Sequence, residues 1–292
     1  MPMRDEYRRY LQAGAVRGAG FALALRHGKF DGGSGFRLGN RCGNSLEFME
    51  HRDYMPGDDL RRLDWNVYAR TERLTVKLYR EEINPRLDLI IDGSASMALP
   101  GSAKTEAALG MTALLAAAAA NAGYATRTWQ CREQVEPVPN GSGDPGRWEN
   151  LAFTARTSPA AALAGFRSGF QHHGVRIVLS DLLWDGTPAH FLGKAGAGAA
   201  ALIVIQMLAA ADLNPIAMGN VRLTDSETGM TEELFLDATA VARYRSALAR
   251  HQQNWTTACR EAGAILITLS AETLLRQWDL QPLLAREIIR AI

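Results

Sequence analysis

The chain has 292 residues, of which 47% are hydrophobic and 22% are charged, and its formal net charge at pH 7 is +1. This composition is typical of a soluble globular protein and excludes disordered and collagen-like chains. The near-neutral charge provides no general attraction for nucleic acid or for an anionic membrane surface, so we expect no nucleic-acid partner.

The cysteines and the N-terminus bear on the cellular location. Cys42, Cys131 and Cys259 are odd in number and widely spaced, and they form no zinc-binding pattern, which predicts reduced thiols. The first residues lack the apolar stretch of a secretory signal. The longest weakly polar run, 195–211, is shorter than the roughly 20 residues that span a bilayer. We therefore expect a cytoplasmic protein with no transmembrane segment in this chain.

Residues 1–84 predict an N-terminal, glycine-rich and β-rich module. The stretch GGSGFRLGNRCG precedes a dense run of charged and aromatic residues, and LTVKLY at 74–79 alternates like a half-buried strand. About 35 residues with this much charge cannot bury a core alone. We therefore expect residues 50–84 to dock on the rest of the chain, with Trp65 partly buried.

Residues 85–292 predict a doubly wound α/β domain with a mostly parallel sheet, because short apolar runs alternate with helical segments. Strands that are apolar on both faces indicate helices on both sides of the sheet. The predicted strands are 86–92, 124–130, 175–181, 200–208 and 264–270, and the predicted helices are 104–122 and about 159–170. Residues 220–237 alternate around a Glu-Thr-Gly turn, which predicts an antiparallel hairpin at the sheet edge.

Oxygen-bearing side chains follow two of these strands. Asp92, Ser94 and Ser96 alternate after the first strand, so their side chains can converge, and Asp181 ends the third strand. Thr157 precedes a helix between them. Ligands collect at the carboxyl ends of such strands, and this all-oxygen set suits a hard divalent cation such as Mg²⁺. The alternative is that the hydroxyls are helix caps or turn formers and that Asp92 is a turn residue.

These residues also carry a resemblance to a known fold. The run LDLIIDGSASM resembles the D-x-S-x-S element of von Willebrand factor A-type domains. TSPAAAL resembles the family's T-x-T-G-x-A-L, with Thr157 matching and Ser158 and Pro159 departing from it. Asp181 matches the family's later aspartate, although Leu182 stands where a glycine is usual.

The resemblance implies a von Willebrand factor A-like fold and a metal-ion-dependent adhesion site for Mg²⁺, or for Mn²⁺ or Ca²⁺. Three hydroxyls would bind the ion directly and two carboxylates mostly through water; the implied set is Ser94, Ser96 and Thr157, with Asp92 and Asp181. An acidic side chain presented by a client protein would complete the coordination.

A second resemblance lies in residues 52–82. RDYMPGDDLRRLDWNVYARTERLTVKLYREE is similar to the signature of a bacterial family of unassigned function whose genes often accompany MoxR-type AAA+ ATPases. The signature includes Glu81 and Glu82, and the DSETG turn of the hairpin also fits it. The resemblance implies a non-enzymatic, chaperone-like adaptor that works with such an ATPase in the assembly or remodelling of protein complexes.

Several signature residues have two interpretations. They could lock a loop-rich module through Arg–carboxylate and aromatic contacts, or they could form a partner-binding surface. The residues concerned are Arg52, Tyr54, Asp58, Arg62, Asp64, Trp65 and Arg70.

Two other functions stay open at this point. Asp92 could be the nucleophile of a Mg²⁺-dependent, phosphatase-like enzyme with Asp181 helping to hold the metal, although Ser94 stands where such enzymes place a second carboxylate. Alternatively, the protein could be a metal-independent scaffold that binds through residues 50–84.

Overall fold

The structure is a computed structural model, and it describes residues 5–25, 42–80, 85–167, 169–215 and 219–292. The chain divides into two compact units. The larger unit comprises Met1–Arg37 and Pro85–Ile292, and the smaller unit comprises Leu38–Asn84.

The strands, in chain order, are β1 (Phe21–Leu23), β2 (Cys42–Asp53), β3 (Thr75–Arg80), β4 (Arg86–Asp92), β5 (Ala125–Cys131), β6 (Val135–Pro137), β7 (Val175–Ser180), β8 (Ala201–Leu208), β9 (Gly219–Thr224), β10 (Thr231–Leu236), β11 (Ile265–Ser270) and β12 (Ile289–Ala291). The α-helices are α1 (Asp5–Gly18), α2 (Trp65–Thr71), α3 (Lys104–Asn121), α4 (Pro159–Gly165), α5 (Pro188–Gly196), α6 (Ala210–Leu213), α7 (Ala238–Glu261), α8 (Ala271–Gln277) and α9 (Gln281–Leu284). Short 3-10 turns cover Leu60–Arg62, Ala95–Ala98 and Pro145–Arg147.

A six-stranded sheet forms the centre of the larger unit, with strand order β11-β8-β7-β4-β5-β6. All neighbouring strands are parallel except β5 and β6. The predicted mostly parallel sheet is therefore confirmed, and β4 has the predicted bounds. Because β4 and β7 are central neighbours, their carboxyl ends lie side by side at one edge of the sheet.

The sheet is covered on both faces, as the apolar strands predict. Leu89 and Ile91 belong to a cluster that includes the buried side of α3, whereas Ile90 belongs to a second cluster with Phe191 of α5 and Trp255 of α7. Successive residues of a strand point to opposite faces, so a strand with apolar residues at every position supplies both clusters.

Residues 5–25 pack with the larger unit, which differs from the expected module of residues 1–84. Helix α1 lies so close to α3 that a Cβ on Gly14 would be 2.0 Å from the Gly110 carbonyl oxygen. Strand β1 then pairs antiparallel with β12, with Phe21 opposite Ala291. The glycine at position 14 allows this close approach because it has no side chain.

The predicted hairpin forms, but not at the edge of the central sheet. Strands β9 and β10 pair antiparallel with each other as a separate two-stranded sheet. Most of their side chains are exposed, including Phe235 at 66%. The expectation of an edge hairpin is wrong on this point, because neither strand pairs with a strand of the central sheet.

The smaller unit contains the antiparallel pair β2 and β3, with the short helix α2 between them in the chain. A single bridge between Leu63 and Val76 ties the segment before α2 to β3. In the part of the chain that the structure describes, no helix has both the length and the apolar character needed to cross a membrane.

Candidate functional site

The candidate site lies where β4 and β7 end. Asp92 is the last residue of β4 and is 1% exposed. Its Oδ1 accepts a 2.9 Å hydrogen bond from the Ser94 amide, and its Oδ2 accepts a 2.6 Å bond from Ser180 Oγ. Sequence reasoning missed Ser180, although its place at the end of a strand, directly before Asp181, was a usable signal.

The serine loop after β4 is held by backbone pairing with a neighbouring loop. Ser94 and Ala155 form a parallel bridge, with the Ala95 amide 2.9 Å from the Ala155 carbonyl oxygen. Ser94 Oγ and Ser96 Oγ lie 2.9 Å apart. Thr157 follows Ala155 by two residues, as Ser96 follows Ser94, so we infer that the parallel pairing directs Thr157 towards the serines.

The structure argues against a simple capping role for the hydroxyls. Ser158 caps α4 by accepting a hydrogen bond from the Ala161 amide, and Thr157 does not. The Thr157 hydroxyl makes no hydrogen bond to any described residue. Ser94 precedes a 3-10 turn but makes no side-chain cap bond. Only Asp92 has the turn role of the alternative interpretation, through its bond from the Ser94 amide.

Asp181 is held by a buried lysine. Lys104 Nζ lies 2.8 Å from Asp181 Oδ2 and 3.2 Å from Asp212 Oδ2, and the side chains of Lys104 and Asp181 are each 1% exposed. The Leu183 amide donates to Asp181 Oδ1, and Gln206 Nε2 donates to the Asp181 carbonyl oxygen. Sequence reasoning missed Lys104. The signal was a lysine at a predicted helix start, where the helix dipole disfavours a positive charge.

Burial dominates the electrostatics of the site. The pKa of Asp92 is raised to about 7, first by burial and then by the nearby negative charge of Asp181, while the hydrogen bonds from Ser180 and Ser94 oppose the rise. Burial lowers the pKa of Lys104, but Asp181 and Asp212 outweigh it, so this pKa is raised above its ordinary value. Lys104 therefore compensates Asp181, whereas Asp92 has neutral hydrogen-bond partners only.

A further carboxylate, in the β9–β10 turn, is influenced by the charges of this region. Glu227 is half-buried in a hairpin whose other residues are mostly exposed. Its pKa is raised by burial first and then by Asp225, Asp181 and Asp185. Glu227 is thus within electrostatic range of Asp181, which the sequence pattern did not indicate.

Leu182 adopts a left-handed backbone conformation, with φ of 58°, directly after Asp181. This is the position at which von Willebrand factor A-type domains usually have glycine. The Leu182 side chain is fully buried in the second apolar cluster, and its carbonyl oxygen lies 2.6 Å from His251 Nε2. Packing and this hydrogen bond hold a conformation that costs a non-glycine residue roughly 1 kcal/mol.

The donor set fits a small divalent cation. The two serine hydroxyls are hydrogen-bonded to each other at 2.9 Å, a separation close to that of about 3.0 Å between two oxygens on adjacent octahedral positions about 2.1 Å from Mg²⁺. The buried Asp92 carboxylate, which lacks a cationic partner among the described residues, supplies the negative charge. The described residues contain no cluster of three or more His, Cys, Asp or Glu that could hold a metal, so any ion here depends on the hydroxyls.

In the smaller unit, the acidic signature residues have internal partners. Asp58 accepts from Arg52 at 2.8 Å and from the Met55 amide. Asp64 caps α2 through the Asn66 and Val67 amides. Asp64 also lies 2.8 Å from His51 Nε2 and 3.3 Å from Lys77 Nζ, and its pKa is lowered to about 2, chiefly by the His51 hydrogen bond. Asp58 and Asp64 therefore fit the interpretation in which the signature residues hold the small module together.

Other signature residues are exposed. Trp65 is 62% exposed and packs edge to face on Tyr68 at 6.1 Å, and Arg70 is also exposed. The expectation of a partly buried Trp65 is wrong, because α2 begins at this residue and buries none of its side chains. Tyr54 is half-buried. The side chain of Arg62, together with Glu81 and Glu82, lies outside the described residues.

Two solved structures align with the chain at a TM-score of 0.34. A conserved hypothetical protein BatB from Bacteroides thetaiotaomicron is 12% identical, with 70% of this chain and 98% of that chain covered. An aerotolerance-related membrane protein from Bacteroides fragilis, carrying multiple mutations to serines, is 13% identical, with 69% and 99% covered.

Sequence relatives include uncharacterized proteins of Mycobacterium tuberculosis and Mycobacterium bovis. Each is 27% identical over 258 residues, which cover 84% of this chain and 80% of the relative. An uncharacterized protein of Mycobacterium avium is 30% identical over 121 residues, or 41% of this chain and 68% of the relative. The family model described as "Protein of unknown function DUF58" matches residues 50–254, and the chain belongs to this family.

Proposed function

We propose that the chain is a non-enzymatic, metal-dependent adaptor that binds a client protein through the site at the ends of β4 and β7. The observation that carries the proposal is the buried Asp92 carboxylate, which has neutral partners only and lies beside two hydroxyls 2.9 Å apart. The ion would be Mg²⁺, Mn²⁺ or Ca²⁺. The residues that would hold it are Ser94, Ser96 and Thr157, with Asp92 and Asp181 mostly through water.

The ligand chemistry explains why a protein partner is favoured. When bound, the ion supplies a positive centre with an open coordination position. Hydroxyl ligands are neutral and leave much of that charge unbalanced, so an acidic side chain of a client is a favourable further ligand. Ser94 and Ser96 orient this position through the backbone pairing of their loop with Ala155.

The surroundings of Asp92 disfavour the phosphatase alternative. A nucleophilic carboxylate must reach the substrate phosphorus with a free oxygen. Asp92 is buried, and each of its oxygens accepts a hydrogen bond. Asp181, the other carboxylate of the site, is paired with Lys104 and is poorly placed as a general base.

The fold family and the partner belong to the same proposal. The position of the site at the carboxyl ends of central parallel strands supports a von Willebrand factor A-like fold. The signature in residues 52–82 supports work with a MoxR-type AAA+ ATPase in the assembly or remodelling of protein complexes. The buried, unpaired Cys131 and Cys259 agree with the cytoplasmic location that we propose.

The test takes the MoxR-type ATPase of the same organism as the protein that presents the acidic side chain to the site, and measures capture of the full chain by the immobilised ATPase. We expect capture in Mg²⁺, loss in EDTA, and loss for Thr157→Ala. Thr154→Ala is the matched control, because Thr154 is exposed and lies three residues away in the same loop. Capture that survives EDTA and Thr157→Ala alike would contradict the metal-dependent proposal.

A second candidate function has its own observation. In the smaller unit Asp58 and Asp64 are engaged internally, whereas Arg61, Arg70 and Arg73 are exposed and have no ion-pair partner among the described residues. They accompany exposed Trp65 and Tyr68, and such Arg and aromatic residues dominate binding hot spots. A metal-independent scaffold that binds an acidic partner here would lose that partner in high salt and keep it in EDTA.

A further inference from the structure

Lys104 is a buried cation that contacts Asp181 of the candidate site, although its chain position offers no reason for a positive charge. It is the first residue of α3, where the helix dipole opposes a cation, and its side chain is 1% exposed. Its Nζ lies within 3.2 Å of two carboxylates from different parts of the chain, Asp181 after β7 and Asp212 in α6. These carboxylates therefore account for its burial.

We propose that Lys104 tunes the charge of the metal site: its ammonium group pairs with Asp181 and lowers the affinity of the site for a divalent cation by offsetting one carboxylate charge. This inference rests on the proposed metal site and goes beyond it. It concerns a side chain that would not touch the ion.

The net charge of the site determines how strongly it should attract a divalent cation. The region contains the carboxylates of Asp92, Asp181 and Asp212 and the ammonium group of Lys104. With Asp92 ionised, these four groups carry a net formal charge of −2, which is equal and opposite to the charge of the ion. Without Lys104 the same groups carry −3. Charges in a buried site interact strongly because solvent screens them little, so each unit of charge should change ion affinity substantially.

A purely structural role for the lysine makes a different prediction. If the lysine only formed a structural ion pair, its removal would lower the folding stability of the protein by the same amount with and without the ion. A lysine that sets the charge of the site would, when removed, make the fold more dependent on the ion. Asp185 and Glu227 contribute equally to all the variants below, so they do not affect the ranking.

The experiment is calorimetric titration of the full chain with Mg²⁺, repeated as melting curves with and without Mg²⁺. The variants are Lys104→Met, with a site charge of −3, Asp212→Asn, with −1, and Lys104→Met combined with Asp212→Asn, which restores −2. Lys104→Arg keeps the charge and is the conservative control. Asp92→Asn removes a proposed ligand and tests the metal site itself.

We expect Mg²⁺ affinity to follow the site charge. Lys104→Met should bind about tenfold more tightly than the wild type, Asp212→Asn about tenfold more weakly, and the double variant and Lys104→Arg within about threefold of the wild type. The rise in melting temperature on adding Mg²⁺ should follow the same order. If Lys104→Met does not fold without Mg²⁺, the double variant and Asp212→Asn still test the ranking.

Failure of the metal site and failure of the role of Lys104 would give different results. If the wild type and Lys104→Met both fail to bind Mg²⁺ at millimolar concentration, the metal site and the inference from it are both overturned. If the wild type binds and Asp92→Asn does not, the metal site stands. Equal affinities across the charge series, or weaker binding by Lys104→Met than by the wild type, would then overturn the role of Lys104 alone.

Discussion

Ser180 Oγ donates a 2.6 Å hydrogen bond to Asp92 Oδ2 and so joins the ends of two neighbouring strands through residues 88 positions apart. The Ser180 hydroxyl also accepts from the Leu182 amide at 3.0 Å. One buried hydroxyl thus holds the carboxylate of the candidate site and the start of the loop after Asp181.

Replacing Ser180 with alanine should destabilise the protein by about 1–3 kcal/mol, because it leaves a buried carboxylate oxygen and a buried amide without partners. Urea unfolding of the full chain measures this free energy. Ser226→Ala, at a half-buried position in the β9–β10 turn, is the control and should be nearly neutral. Equal stabilities of the two variants would show that the bond does not contribute.

The stability of the metal-free protein should fall as pH rises from about 4 to about 7. Asp92 has a folded pKa of about 7, whereas an unfolded aspartate ionises near 4. Over this interval the folded state keeps a proton that the unfolded state has released, so raising the pH favours unfolding, by an amount on the order of a few kcal/mol. Asp92→Asn should reduce this slope in urea unfolding measured across the pH range, and the part that remains belongs to other carboxyls whose pKa is raised by burial, such as Glu227.

Adding Mg²⁺ should also reduce the loss of stability with rising pH, because a bound cation favours the ionised Asp92 carboxylate. A slope that is identical in the wild type and in Asp92→Asn would assign the pH dependence to other groups.

At position 182, glycine should be better tolerated than alanine. Leu182→Ala and Leu182→Gly both lose the buried side chain, at a cost of about 2–5 kcal/mol. The alanine variant also keeps the left-handed strain at φ of 58°, which glycine removes. We expect Leu182→Gly to be the more stable by about 1 kcal/mol in thermal unfolding. The reverse order would show that this backbone conformation is not retained in solution.

Gly14→Ala should separate α1 from α3. The added Cβ would lie 2.0 Å from the Gly110 carbonyl oxygen, and neither helix backbone can give way at that point without losing contacts. A loss of several kcal/mol is expected by denaturant unfolding, with earlier proteolysis of the N-terminal residues. Gly193→Ala in α5, where an added Cβ meets no atom within 4 Å, should be neutral or slightly stabilising. Similar behaviour of the two variants would contradict the packing of α1.

The sequence was informative where the signal is local. Five central strands could be predicted because residues such as Leu89 and Ile90 are apolar at consecutive positions, which a sheet covered on both faces requires. Asp92 and Asp181 could be placed at one edge because both end such strands. The chemistry of an all-oxygen site follows from these residue types.

What the sequence did not reveal depends on contacts between distant residues. Lys104 meets Asp181 across 77 positions, and no periodicity reports such a pair. The packing of α1 on α3 depends on two glycines, Gly14 and Gly110, that lie in separate helices. Trp65 was expected to be partly buried because residues 50–84 carry too much charge to bury a core alone, but the two-turn helix α2 has no buried face.

The central claim is that the ends of β4 and β7 bind one divalent cation. Titration of the full chain with Mn²⁺, followed by electron paramagnetic resonance of the free ion, counts bound ions directly. We expect one ion per chain in the wild type, displaced by excess Mg²⁺, and none at this site in Asp92→Asn or in Ser94→Ala combined with Ser96→Ala. Binding of no ion by the folded wild type, or of one ion by all three proteins alike, would contradict the claim.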